Sequence, residues 1–289
     1  MTTDRMAYGP NDPDRRRDAR RRSQARRRLI LLVGAAVVIA AVVAVWSFAG
    51  GDAGDDPDGG KSTAGSGRPQ ASPTPSLPPP EVWVAAKAHP VRVWVGGDSL
   101  GGELGLSLGP ILKETGAYKP TSFYKESSGI CRYDFFDWGE KIKTASRSIR
   151  PDAAVLMMGT NDTQSVWVDG KWISYGKTAW KDAYEERVGS LIDTLLEGGA
   201  RRVYWVGMPI MGESWRNSRM KLINRIFEKQ SALRPGAEYV DIWGLFSDDG
   251  EYVPSWRLGD GVHLTLAGQE RLAEYVFEAI EQDWRPPAK

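Results

Sequence analysis

Three short runs, "VRVWVGG" (91–97), "AAVLMMG" (153–159) and "RVYWVGMP" (202–209), are apolar at almost every residue. A strand with one wet face alternates polar and apolar side chains, so runs like these predict strands covered on both sides. A fourth run, "EYVDIWGLF" (238–246), is read as a strand as well. Amphipathic stretches lie between them. In 178–197, Trp180, Tyr184, Val188, Leu191, Ile192 and Leu195 share one helical face, and Gly198-Gly199 supplies a stop. Further helices are predicted near 215–232 and from Leu266 to about Gln282, the last behind an N-capping Thr265. Alternation of this kind predicts an α/β sandwich around a central parallel sheet. Such sheets build ligand sites at the carboxyl ends of their strands, and three of the four runs end in a glycine-containing turn.

The predicted domain occupies only 81–289 of the 289 residues, and the rest is of another character. Residues 1–28 hold ten Arg and four Asp, a net charge of +6. They run into "LILLVGAAVVIAAVVAVWSFA", Leu29 to Ala49, which carries no charge over 21 residues. At about 1.5 Å rise per residue this stretch spans a hydrocarbon core of ~30 Å. Arginines before it and none just after it predict a cytoplasmic N-terminus and an extracytoplasmic domain. Cleavage after Ser47-Phe48-Ala49 as a signal peptide is the alternative, although signal h-regions are shorter, about 7–15 residues. From Gly50 to Pro80 the chain is Gly/Asp-rich and then Pro/Ser-rich, the composition of a disordered tether. Residues 81–289 carry a net charge of −3, which argues against nucleic acid as a partner.

Cysteine chemistry is sparse. Cys131 is the only cysteine, so the domain has no disulfide framework and no Cys-rich zinc site. The plain reading of Cys131 is a small buried apolar residue. No metal or cofactor is expected.

The first predicted strand runs into "GGDSLGGELG". A phosphate cradle would need a lysine after the second glycine, and Glu103 stands there instead. A nucleophile mount needs a base for Ser99, and the chain offers two histidines. His89 precedes the strand with no carboxylate close in sequence and reads as a surface residue. His263 lies in "RLGDGVHLTLAG", with Asp260 three residues upstream to fix its tautomer and stabilise the imidazolium. Donors for a developing oxyanion are available from the Asn161 side chain in "MMGTNDTQ", from Gly129 in "ESSGICRYD" and from the Ser99 N–H. Taken singly, Asn161 also reads as a turn residue and Gly129 as a loop glycine. Asp98 is assigned to the turn itself, because Asp260 stands beside the histidine.

Together, "GGDSL" with Ser99, Gly129, "GTND" with Asn161 and "DGVH" with Asp260 and His263 resemble the SGNH, or GDSL-type, hydrolase superfamily, in its membrane-anchored, exported, DUF459-like form. The motifs occur in the family's order across 91–282. The resemblance implies a flavodoxin-like three-layer α/β/α fold and metal-free hydrolysis or transfer of acyl esters. It assigns Ser99, His263 and Asp260 to a catalytic triad, and Gly129, Asn161 and the Ser99 N–H to the oxyanion hole.

The expected activity is therefore that of an extracytoplasmic serine esterase or deacylase, acting on an acylated small molecule or an O-acetylated envelope glycan. An O-acyltransferase using the same serine is the alternative, and a non-catalytic glycan-binding module ranks third. "TQSVWVDGKWISYG" predicts a hairpin turned at Asp169-Gly170 and presenting Trp167 and Trp172. These rings either hold a sugar or pack on the domain. Trp94, Trp205 and Trp243 fall in predicted strands and are expected in the core.

Overall fold

The structure is a computed structural model and describes residues 78–285. The basic tail, the apolar run Leu29–Ala49 and the linker up to residue 77 lie outside the described residues. Among the described residues no helix is long and apolar enough to cross a membrane.

Five parallel strands form the central sheet: β1 (Val91–Gly97), β2 (Tyr118–Tyr124), β3 (Ala153–Met157), β6 (Arg202–Val206) and β7 (Ala237–Val240). Their spatial order is β2-β1-β3-β6-β7. Five helices connect and cover them: α1 (Ser99–Thr115), α2 (Trp138–Ser148), α3 (Thr178–Glu197), α4 (Ser214–Ala232) and α5 (Leu266–Trp284). α1 packs on α5, while α2 packs on α3 and α3 on α4, giving two helical layers around one sheet. This is the expected three-layer sandwich. Because β1 is flanked by β2 on one side and β3 on the other, the strand order reverses there, and it is at the carboxyl ends of strands at such a reversal that open α/β sheets place their ligands.

The apolar runs behave as their composition demands. β3 is buried at all five positions, and Trp94 and Trp205 are fully buried. Two expectations are corrected. The run 238–246 is strand only to Val240, after which Gly244–Phe246 forms a 3₁₀ turn. Trp243, on that turn, is accordingly half-buried rather than core. The predicted helices at 178–197 and 266–282 form, and Thr265 caps α5 by accepting the Gly268 N–H at 3.2 Å.

The hairpin forms too. β4 (Val166–Val168) pairs with β5 (Lys171–Ile173), turned at Asp169 and Gly170, both with positive φ. A second small hairpin, β8 (Ser247–Asp248) with β9 (Glu251–Tyr252), precedes the His263 loop.

Candidate active site

β1 ends against β3 so closely that Gly97 has no room for a side chain. A Cβ there would overlap the Met157 carbonyl oxygen, and the Gly101 Cα adjoins the same point. The chain turns at Asp98 and enters α1, with Ser99 as the first helical residue. Asp98 is fully buried and secures this turn twice. Its Oδ1 accepts the Leu100 N–H at 3.0 Å as the helix cap, and its Oδ2 accepts the Gly159 N–H at 3.0 Å and the Thr160 hydroxyl at 2.8 Å. The strand-end turns after β1 and β3 are thereby locked together. Burial pushes the Asp98 carboxyl up, against the pull of these donors. Its assignment to the turn holds, and the tie to Gly159 and Thr160 is an addition.

His263 reaches this turn from the loop before α5. Its Nε2 lies 2.9 Å from Ser99 Oγ, and its Nδ1 lies 2.6 Å from Asp260 Oδ2. The other oxygen of Asp260 accepts the N–H groups of Val262 at 2.9 Å and His263 at 3.0 Å, so the carboxylate orders its own loop. Burial raises the Asp260 pKa, but the imidazole and these two N–H groups more than reverse it and hold the carboxylate well below its usual range. Burial likewise pulls His263 down. The bond to Asp260 and the charges of Glu103, Asp260 and Asp98 outweigh it and leave the imidazole above its ordinary value. A hydroxyl, an imidazole and a carboxylate in this sequence can move a proton from Ser99 to His263 while Asp260 stabilises the cation formed.

The loops bearing Asn161 and Gly129 are joined. Asn161 Nδ2 donates to the Ser128 carbonyl at 2.9 Å, using one of its two N–H bonds. Beneath them lies Asp162, fully buried, whose carboxylate accepts from the Ile130 N–H at 3.0 Å, the Cys131 N–H at 2.8 Å and the Tyr184 hydroxyl at 2.9 Å. A Cβ on Gly129 would run into that carboxylate, so the glycine is required for the loop to close over it. Burial raises the Asp162 carboxyl to about 6. Cys131 is a buried free thiol beside it, in keeping with its expected role as a small core residue. His89 is exposed and stacks on Trp83 with ring centroids 4.4 Å apart.

Trp167 and Trp172 face each other across the hairpin, ring centroids 5.2 Å apart and nearly edge to face. Trp172 is 54% exposed, and the Trp167 carbonyl is held by Arg187 of α3 at 2.6 Å. Among the described residues, no hydrogen bond or ring contact joins this pair to Ser99, Asp260 or His263.

Three site residues escape a sequence reading. Asp162 sits in the "GTND" motif, but only burial distinguishes it from a turn residue. Glu103 reaches the His263 loop from a distant part of the chain, and Arg257, just before that loop, ties it to the distant Ile210 carbonyl. The signal for Glu103 was its position four residues after Ser99, visible only once 99–115 is known to be helical.

A family model described as "Protein of unknown function (DUF459)" matches residues 92–279, a span that includes Ser99, Gly129, Asn161, Asp260 and His263. The chain belongs to this family. Its fold is similar to that of the lipase/acylhydrolase from Enterococcus faecalis, at 14% identity over 69% of this chain and 100% of that one, with a TM-score of 0.52. It is similar as well to LAE5, an α/β hydrolase enzyme from the metagenome of Lake Arreo, Spain, at 15% identity over 68% of this chain and 98% of that one, with a TM-score of 0.50. At such identities the likeness is one of fold alone. No curated protein matches the chain.

Proposed function

We propose that this chain is an extracytoplasmic serine esterase that removes acyl groups, acetyl foremost, from esters on cell-envelope glycans. The observation that supports this reading is the unbroken contact from Ser99 Oγ through His263 to Asp260, at 2.9 and 2.6 Å. In this reading Ser99 Oγ attacks the ester carbonyl carbon while His263 Nε2 takes its proton. The negative charge on the carbonyl oxygen is met by the Ser99 N–H, which as the first residue of α1 has no acceptor within its helix, by the second N–H of Asn161, and by the Gly129 N–H. Collapse breaks the ester C–O bond, and His263 returns its proton to the leaving alcohol. Water then attacks the acyl-serine by the same route. Trp172, more than half exposed, is the sugar-facing surface that this reading assigns. Leu29–Ala49 is assigned as a single-pass anchor with the N-terminus in the cytoplasm.

The test is acyl release from an aryl acetate and from isolated envelope polymers by wild type, Ser99→Ala and His263→Ala. Either substitution is expected to lower kcat on the aryl acetate by about 10³-fold or more at an unchanged melting temperature. Wild-type rates from Ser99→Ala overturn the reading. Gain of acyl groups by the polymer in the presence of an acyl donor replaces hydrolysis with O-acyl transfer.

A further inference from the structure

Glu103 follows Ser99 by four residues on α1, so the two side chains leave the same face of the helix, one turn apart. Its Oε2 accepts the main-chain N–H of Leu264 at 3.1 Å. Leu264 is the residue directly after His263, so the helix bearing the serine grips the loop bearing the histidine at a second point. The charged groups that face Glu103 are His263 and Asp260 on that loop and Arg257 just before it. Arg257 is 5% exposed, and its guanidinium is committed to the carbonyls of Val262 at 2.8 Å and Ile210 at 2.7 Å. Among the described residues Glu103 forms no ion pair, so its carboxylate is not there to neutralise Arg257 by contact. Nor does it serve the helix terminus, since it lies beyond the first turn, where the helix dipole has faded. Burial raises the carboxyl to about 7, against the pull of the Leu264 N–H and the charges of His263 and Arg257. A half-buried carboxylate with this cost and no ion-pair partner is directed at the imidazole loop.

We propose that Glu103 is a positioning residue for the same reaction: through Leu264 it holds His263 against Ser99, and its negative charge favours the imidazolium that forms when Ser99 loses its proton. The proposal rests on the reading of Ser99 and His263 as nucleophile and base.

Glu103→Gln separates its two effects, because the amide oxygen still accepts the Leu264 N–H while the charge is gone. Glu103→Ala removes both. Glu103 carries its charge above about pH 7, where its loss lowers the imidazole pKa; below that the carboxyl is already neutral, so the two titrations are coupled and the shift is partial. In Glu103→Gln the acidic limb of kcat/KM on an aryl acetate is therefore expected to move down by up to about one pH unit, with KM within about twofold of wild type. Glu103→Ala is expected to show the same shift and, in addition, about a tenfold fall in kcat. Since the chain has two histidines, NMR titration of His263 with His89 as internal reference reads the shift without relying on activity. A lower His263 pKa in Glu103→Gln supports the proposal. An unchanged His263 titration and acidic limb in Glu103→Gln, with Ser99→Ala inactive, overturn the role of Glu103 and leave the Ser99 reading standing. Full activity in Ser99→Ala overturns both.

Discussion

Asp162 shows how much a single buried carboxylate organises. It takes two main-chain N–H groups from the 129–131 loop and one hydroxyl from α3. Removing it leaves Ile130 and Cys131 with buried, unmet N–H groups, each costing about 1–3 kcal/mol. Asp162→Ala is accordingly expected to lower unfolding stability by about 2–5 kcal/mol and to slow catalysis by releasing the Gly129 loop, measured by urea denaturation and aryl-acetate kinetics. The pH dependence follows from the direction of its shift. The folded-state pKa, raised by burial to about 6, exceeds that of the unfolded chain, so the folded state holds the proton more tightly. The stabilisation is complete below the ordinary carboxylate range, near pH 4, and is lost as pH rises through about 6. Wild type is expected to lose stability relative to Asp162→Asn between pH 4 and 7. A stability difference that stays constant over that range would show that Asp162 does not titrate there.

At the level of elements, the β1–α1 junction is the least forgiving place in the fold. The Met157 carbonyl that a Gly97 side chain would strike belongs to the buried strand β3, which has no room to yield. Gly97→Ala is expected to cost about 1–3 kcal/mol or more in denaturation experiments and to lower kcat by displacing Ser99, whereas a change within about 0.5 kcal/mol would contradict the packing. The same glycines explain what the sequence conceals. β1, β3 and β6 are legible because burial on both faces makes them uniformly apolar, and α3 and α5 because their buried residues recur at helical spacing. α1 carries Gly101, Gly102, Gly105, Gly109 and Pro110, a composition that reads as loop; a Cβ on Gly101 would strike the Met157 carbonyl, and Gly102 and Gly105 lie close on the side chains of Tyr124 and Ser122. β2 is an edge strand with Pro120 and mostly half-exposed or exposed side chains, so neither periodicity nor apolarity marks it. The grouping of Ser99, Asp260 and His263 could be anticipated because proton transfer admits few residue types and the chain has only two histidines. Glu103, Asp162 and Arg257 could not, because each owes its role to partners brought near only by folding.

On the scale of the whole molecule, the described chain enters its domain at the end of the sheet opposite the serine. The carbonyls of Pro80 and Glu81 are held by Arg202 at 2.7 Å and Arg201 at 2.5 Å, where β6 begins, whereas Ser99 follows the carboxyl end of β1. With all five strands parallel, these are opposite ends. The 31 residues from Gly50 to Pro80 span at most about 110 Å when fully extended. Anchoring and chemistry are therefore expected to separate cleanly. The full chain should sediment with membranes, resist extraction by high salt and alkaline carbonate, and be released by detergent. A chain lacking residues 1–49 should be recovered in the soluble fraction with kcat/KM on an aryl acetate within about twofold of the full chain, because the residues assigned to the site lie within the domain. On isolated envelopes the same truncation should lower acyl release, since the proposed anchor would confine the proposed esterase beside its polymer and raise its effective concentration there. Release of the full chain by carbonate, or a mature chain beginning just after Ala49, would replace the anchor with a cleaved signal peptide and remove any reason for the two forms to differ on envelopes.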